Sequence, residues 1–288
     1  MQKYINPYTD FGFKKLFGEE ANKDLLIDFL NAFLPEKHRI KMLNFRNTEQ
    51  LGLVSADRKA VFDIFCEAEN GEKFIVEMQK AKQRFFKDRA VFSTAYPILE
   101  QAGKGDGWQY ELQAIYFIGI LDFEYDENEE RRKFLRDIAL RDVDGELFYD
   151  KLRYIILQMP LFTKTESELE NQQDKWLFFL KNLTSFDQIP AILSGSIFQR
   201  AFETAAIAGL NKQDYQRYYA DRKIYFDNNA ALSTAQYEGF ESGRAEGKAE
   251  GKAEEKTEIA LNMKKDGVDL TFITKYTGLS PDEISRLD

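Results

Sequence analysis

Residues Arg58–Arg89 read RKAVFDIFCEAENGEKFIVEMQKAKQRFFKDR, and the fold turns on how this stretch pairs with itself. Asp63 stands inside an apolar, strand-like run. A turn containing Asn70 and Gly71 follows, and then Glu77 and Gln79 lie two apart in a second apolar run. A carboxylate within a sheet is costly unless something pairs with it. Several of them retained in adjoining strands therefore predict a shared site. Side chains alternate along a strand, which puts Glu77 and Gln79 on one face. Whether Asp63 joins them depends on the turn. A two-residue Asn70-Gly71 turn pairs Asp63 with Met78 and sends Glu77 to the other face. A three-residue loop, Glu69-Asn70-Gly71 with Gly71 left-handed, pairs Asp63 with Glu77 on one face. A common carboxylate site requires the longer loop.

Two converging carboxylates suit Mg²⁺, which prefers oxygen ligands. Such an ion can polarise a phosphodiester oxygen and acidify a bound water. Lys80, Lys82, Arg84, Lys87 and Arg89 follow at once, against the single Asp88. They are placed to neutralise a DNA backbone beside the carboxylates, whereas taken alone the same run is an ordinary solvated helix start. Phe85 and Phe86, interleaved with them, read as core anchors.

Composition narrows the chemistry further. The 288 residues are 43% hydrophobic and 31% charged, as in a soluble globular protein with ample core. No apolar run approaches the roughly 20 residues that span a bilayer, and the N-terminal MQKYINPYTDFGFKK lacks a signal-peptide core, so a cytoplasmic protein with no membrane association is expected. The one cysteine, Cys66, excludes an internal disulfide framework and a cysteine zinc cluster, and reads as a packed apolar residue. The one histidine, His38, argues against His-based triads and metal sites and reads as exposed. Catalysis would rest on carboxylates, amides, lysines or hydroxyls. The net charge of −9 is unevenly spread. Residues 1–110 hold 17 Lys and Arg against 16 Asp and Glu, and the remainder 23 against 33. A nucleic acid would therefore sit on the N-terminal half.

Along the chain, apolar residues at helical spacing predict two short helices within 9–33, interrupted by Gly18 and ended by Pro35. A strand over 39–46 precedes the two strands of the opening motif. A helix over 84–102, a buried strand over 111–121 and a further strand over 154–160 follow. Helix, helix, three strands, helix, strand is an α/β pattern in which the last strand is added by a crossover. Gly103-Lys104-Gly105-Asp106-Gly107 lacks phosphate-loop spacing and reads as a loop, as does Asp57. Residues 166–236 form a helical, aromatic-rich region. Residues 237–256, YEGFESGRAEGKAEGKAEEK, repeat glycine every four positions among strong helix formers and predict a solvated helical linker. In 257–288, Gly267, Asp269 and the Ser280-Pro281-Asp282-Glu283 capping box outline a small helix-turn-helix-like tail. With 4 basic and 6 acidic residues from Thr257 to Asp288, that tail suits a protein partner better than DNA.

These residues also resemble a family. Asp10-Phe11-Gly12-Phe13-Lys14-Lys15-Leu16-Phe17, Asp63 within FDIFCEAENGEKFIVEMQ, the Arg89–Tyr96 stretch, the 111–121 strand and the glycine repeat before a helical tail are similar to the PD-(D/E)xK nuclease superfamily. The likeness is to its Rpn group of recombination-promoting nucleases, also described as transposases. The resemblance implies an αβββαβ restriction-endonuclease-like core over 1–165 and a Mg²⁺- or Mn²⁺-dependent endonuclease acting on double-stranded DNA in recombination or transposition. It implies Asp63, Glu77 and Gln79 as catalytic residues and Asp63 and Glu77 as metal ligands. Asp10 would be a third ligand from the first helix, against its plainer reading as a helix N-terminal carboxylate. Gln79 stands where the superfamily often has lysine; an amide can orient water but brings no charge. One site per chain and two strands to cut favour a homodimer. The alternative is a catalytically weak protein of the same fold that binds DNA or protein through its helical C-terminal region.

Overall fold

Helix α1 (Asp10–Phe17) starts where the Thr9 hydroxyl accepts the Gly12 N–H at 3.0 Å, and ends at Gly18. Gly12 is obligatory there for a packing reason: a Cβ would stand 2.0 Å from the Asn6 carbonyl oxygen. Helix α2 (Lys23–Phe33) follows, and Leu34 and Pro35 end it. The structure, a computed structural model, describes residues 2–50, 60–82, 84–102, 109–125 and 132–287; Asp57 and the 103–107 glycine stretch lie outside them.

Strand β1 (Leu43–Phe45) pairs antiparallel with β4 (Ile64–Ala68), and the short β2 (Glu49–Gln50) with β3 (Ala60–Val61). Strand β5 (Lys73–Gln79) returns antiparallel along β4. Parallel pairing of β5 with β6 (Ile115–Leu121) needs a crossover, which α3 (Phe86–Glu100) supplies. Strand β7 (Leu135–Arg141) was not foreseen, and β8 (Leu147–Gln158) is longer than the strand expected over 154–160. Both share a physical reason: they form a hairpin whose outer part is exposed, with charged residues interrupting its apolar ones, so no continuous apolar run marks it. The six-stranded order is β1-β4-β5-β6-β8-β7.

Strand parity sorts the core. On one face, Phe65, Ile75, Phe117 and Ile156 pack with Phe62, Leu121, and Phe86 and Ala90 of α3. The other parity, Phe74, Val76, Tyr116, Ile118 and Leu157, is equally buried. There the Phe74 and Tyr116 rings stack, and His38 packs edge-on against Tyr116. His38 is therefore not the exposed residue expected from its proline-ended helix. Its Nδ1 lies 2.6 Å from the Glu72 carboxylate, which holds the segment after α2 onto the sheet. Cys66 is fully buried, and burial pushes its thiol up to about 12.

Helices α4 (Gln172–Asn182) and α5 (Ser196–Ala205) pack on α1 and α2 around Trp176, whose ring meets Phe17, Phe29 and Phe198 and whose Nε1 donates to Asp28 at 2.7 Å. One compact unit thus runs from Met1 to Lys223 and a second from Ile224 to Asp288. Helix α6 (Lys212–Lys265) begins in the first, where the fully buried Tyr218 accepts the Asn6 N–H at 3.0 Å. The second unit contains the glycine repeat, helical as expected, with open space where each Cβ would stand. It also contains α7 (Leu270–Thr277), capped by Asp269, and α8 (Pro281–Ser285), whose Ser280–Glu283 capping box is formed as read. Ala260, Ile273 and Ile284 make its small core.

Candidate active site

The turn between β4 and β5 has three residues. Ala68 donates its N–H to Glu72 at 2.9 Å, and Glu69, Asn70 and Gly71 lie between them, with Gly71 at φ +82°. Ile64 then pairs with Val76 and Phe65 with Ile75, and the same register carries Asp63 to Glu77. Asp63 itself sits at a bend between β3 and β4, a break in the run read as one strand. Its Oδ2 accepts the Met78 N–H at 2.8 Å. On the same face, the Gln79 amide donates to Glu77 Oε2 at 2.7 Å. Glu77 pairs across β6 with Gly119, whose missing side chain leaves the space that Phe86 approaches from α3.

Electrostatics mark this face. Burial, and then the charge of Asp63, push the Glu77 carboxyl up to about 7 against the pull of Arg89 and Gln79. Burial also raises Asp63; the Met78 N–H opposes it, Asp10 adds to it, and Lys14 and Lys80 oppose it. Two neighbouring carboxyls held above their ordinary range, with burial as the main cause, are an arrangement that clusters at functional sites.

Asp10 lies in the first turn of α1, where Thr9 and not Asp10 caps the helix. It is half exposed and paired with Lys14 at 2.9 Å, and it lines with Asp63 a cavity of about 600 Å³. Among the described residues no three His, Cys, Asp or Glu side chains gather closely enough to hold a metal on their own. The structure thus brings Asp63, Glu77 and Gln79 together, and places Asp10 on the cavity that Asp63 lines, close enough for its charge to raise the Asp63 carboxyl.

Lys80 and Arg89 lie within electrostatic reach of the carboxylates. Lys82, Arg84 and Lys87 instead line a second cavity of about 620 Å³ with Tyr125, over whose ring the Lys87 ammonium sits. Phe86 is the core anchor expected, but Phe85 is exposed. Successive helical residues point about 100° apart, so only one of the pair can face the sheet.

Helix α6 contributes what the sequence reading missed. Asp214, Arg217 and Asp221 line the cavity that holds Asp63. Asp214 bonds Lys15 at 3.1 Å, and Asp221 accepts the Phe11 N–H at 2.8 Å. Their i, i+3, i+7 spacing was a usable signal for a common helical face, but it lies in the acidic half of the chain.

A mixed sheet carrying opposed carboxylates at the β4–β5 hairpin, with a crossover helix behind them, defines a PD-(D/E)XK-like nuclease fold with a helical C-terminal region. The family model described as PD-(D/E)XK nuclease family transposase matches residues 7–235, and the chain belongs to that family. No curated protein and no solved structure matches.

Proposed function

We propose that this protein is a Mg²⁺- or Mn²⁺-dependent endonuclease of double-stranded DNA, working in recombination or transposition. The observation that supports the reading is the three-residue turn, whose Ile64–Val76 register, continued by one residue, sets Asp63 opposite Glu77. The donor set fits a hard divalent cation: Asp63 and Glu77 supply carboxylate oxygens and Gln79 an amide oxygen. The raised Glu77 is a second sign of fit, since a cation beside it would relieve the repulsion from Asp63. Such a cation supplies Lewis acidity and a water acidified towards neutral pH.

The chain's own residues would do the rest. Asp63, moored by the Met78 N–H, keeps one carboxylate oxygen aimed by backbone. Gln79 fixes the Glu77 rotamer through its amide and can orient the attacking water. Arg89 supplies, from α3, the positive charge that Gln79 lacks, because it already acts on Glu77. Asp10, which lines the same cavity as Asp63, would join as a further acidic group. Lys80, Lys82, Arg84 and Lys87 would follow the phosphate backbone away from the site.

The test is nicking of supercoiled plasmid with Mg²⁺ or Mn²⁺, against EDTA and against Asp63→Ala. Metal-dependent nicking lost in the variant is expected. Equal activity of the two proteins overturns the assignment, and inactivity of both across several divalent ions favours a DNA- or protein-binding role.

A further inference from the structure

The wall of the Asp63 cavity built by α6 holds an unused cation. Arg217 lies between Asp214 and Asp221 on one helical face, and both neighbours are committed to α1, Asp214 through Lys15 and Asp221 through the Phe11 N–H. The other cations of the cavity are also committed. Lys14 is paired with Asp10, Lys15 with Glu19 and Asp214, and Arg46 with Glu67 and Glu100. Arg217 is exposed, and among the described residues no carboxylate or hydrogen-bond acceptor is paired with it.

We propose that Arg217 is a phosphate-binding residue of the cleft, contacting a DNA backbone phosphate next to the one presented to Asp63 and Glu77. The inference rests on the nuclease reading and extends it to a helix beyond the sheet-bearing core. Its physical basis is local charge. Five carboxylates, Asp10, Glu19, Asp63, Asp214 and Asp221, line the cavity against four cations, and Lys14, Lys15 and Arg46 among these are held in ion pairs, so Arg217 is the cation placed to meet a polyanion there. A guanidinium offers a planar fork to two phosphate oxygens, and remains charged at every working pH. The anchors at Asp214 and Asp221 hold the helix that carries it against α1, so the contact is presented by a rigid element. The family match extends through this position, to residue 235.

The experiment measures binding of full-length protein to a short duplex in Ca²⁺, without turnover, over a range of salt, beside cleavage in Mg²⁺. Arg217→Ala should weaken binding about tenfold and reduce the slope of log affinity against log salt by about 0.9, one phosphate contact. Arg217→Lys should restore the slope, and the melting temperature should not move. Unchanged affinity and slope in Arg217→Ala, with wild type binding and cutting DNA, overturn the inference alone. A loss of affinity with a lowered melting temperature and an unchanged slope also overturns it, as a structural effect. If wild type neither binds nor cuts, the nuclease reading falls and this inference with it.

Discussion

The Asp63 carboxylate accepts the Met78 N–H at 2.8 Å, so the first acidic residue of the site is moored to the strand that carries the second. Asparagine can keep that bond through its amide oxygen but carries no charge. Asp63→Asn should therefore fold like wild type while plasmid nicking falls at least ~100-fold, the upper range for loss of a group supporting a metal site. Asp63→Ala should in addition leave the Met78 N–H unpaired, at a cost of about 1–3 kcal/mol. Urea denaturation and nicking rates separate the two effects. Undiminished nicking by the asparagine variant contradicts the role given to this carboxylate.

Glu77 should give the protein a pH signature. Its carboxyl is raised from 4.5 to about 7, by burial first and the Asp63 charge second. Between those values the native state holds a proton that the unfolded chain has released, so stability is full below 4.5 and falls as pH rises through about 7. In EDTA, wild type should lose on the order of 3 kcal/mol across that window relative to Glu77→Gln. A metal must displace this proton, so apparent Mg²⁺ affinity should rise over the same window. Parallel stability curves for the two proteins exclude the raised carboxyl.

Gly12 tests the motif of the first helix. A Cβ there would lie 2.0 Å from the Asn6 oxygen and 2.8 Å from Thr9 Oγ1. Gly12→Ala must push α1 from its seat and disturb the Asn6–Tyr218 bond to α6. A loss of about 3 kcal/mol or more is expected, at the upper end of overpacking costs, read from the urea midpoint. Gly18→Ala, whose nearest neighbour would be 3.0 Å away, should cost less.

The tail should unfold apart from the site. Its core is Ala260, Ile273 and Ile284, and truncating a buried isoleucine costs about 2–5 kcal/mol, more than so small a cluster can spare. Ile273→Ala should abolish amide-exchange protection over 270–285 while nicking is unchanged, because every residue placed in the site lies in the unit ending at Lys223. Retained protection contradicts the claim, as does a loss of nicking.

The signals legible in the sequence were local. Period-two alternation put Glu77 and Gln79 on one face, helical spacing found α1 to α3, and Asp269, Ser280, Pro281 and Glu283 announced their own caps, because each of these signals is carried by residues a few positions apart. The turn reading reduced the site to a condition on Gly71, and left the condition open, since the same residues suit either loop; the paired strands decided it. The β7 hairpin and the buried bond from His38 to Glu72 were beyond that reach. An exposed edge strand has no apolar signature, and a histidine's partner 34 residues away leaves no mark beside it. The contribution of α6 was the least legible. Arg217 lies in the acidic half of the chain, and only tertiary packing, through Lys15–Asp214 and Phe11–Asp221, brings it to the cavity of Asp63. The amino-acid sequence by itself determined which strands could hold carboxylates; long-range packing determined what faces them.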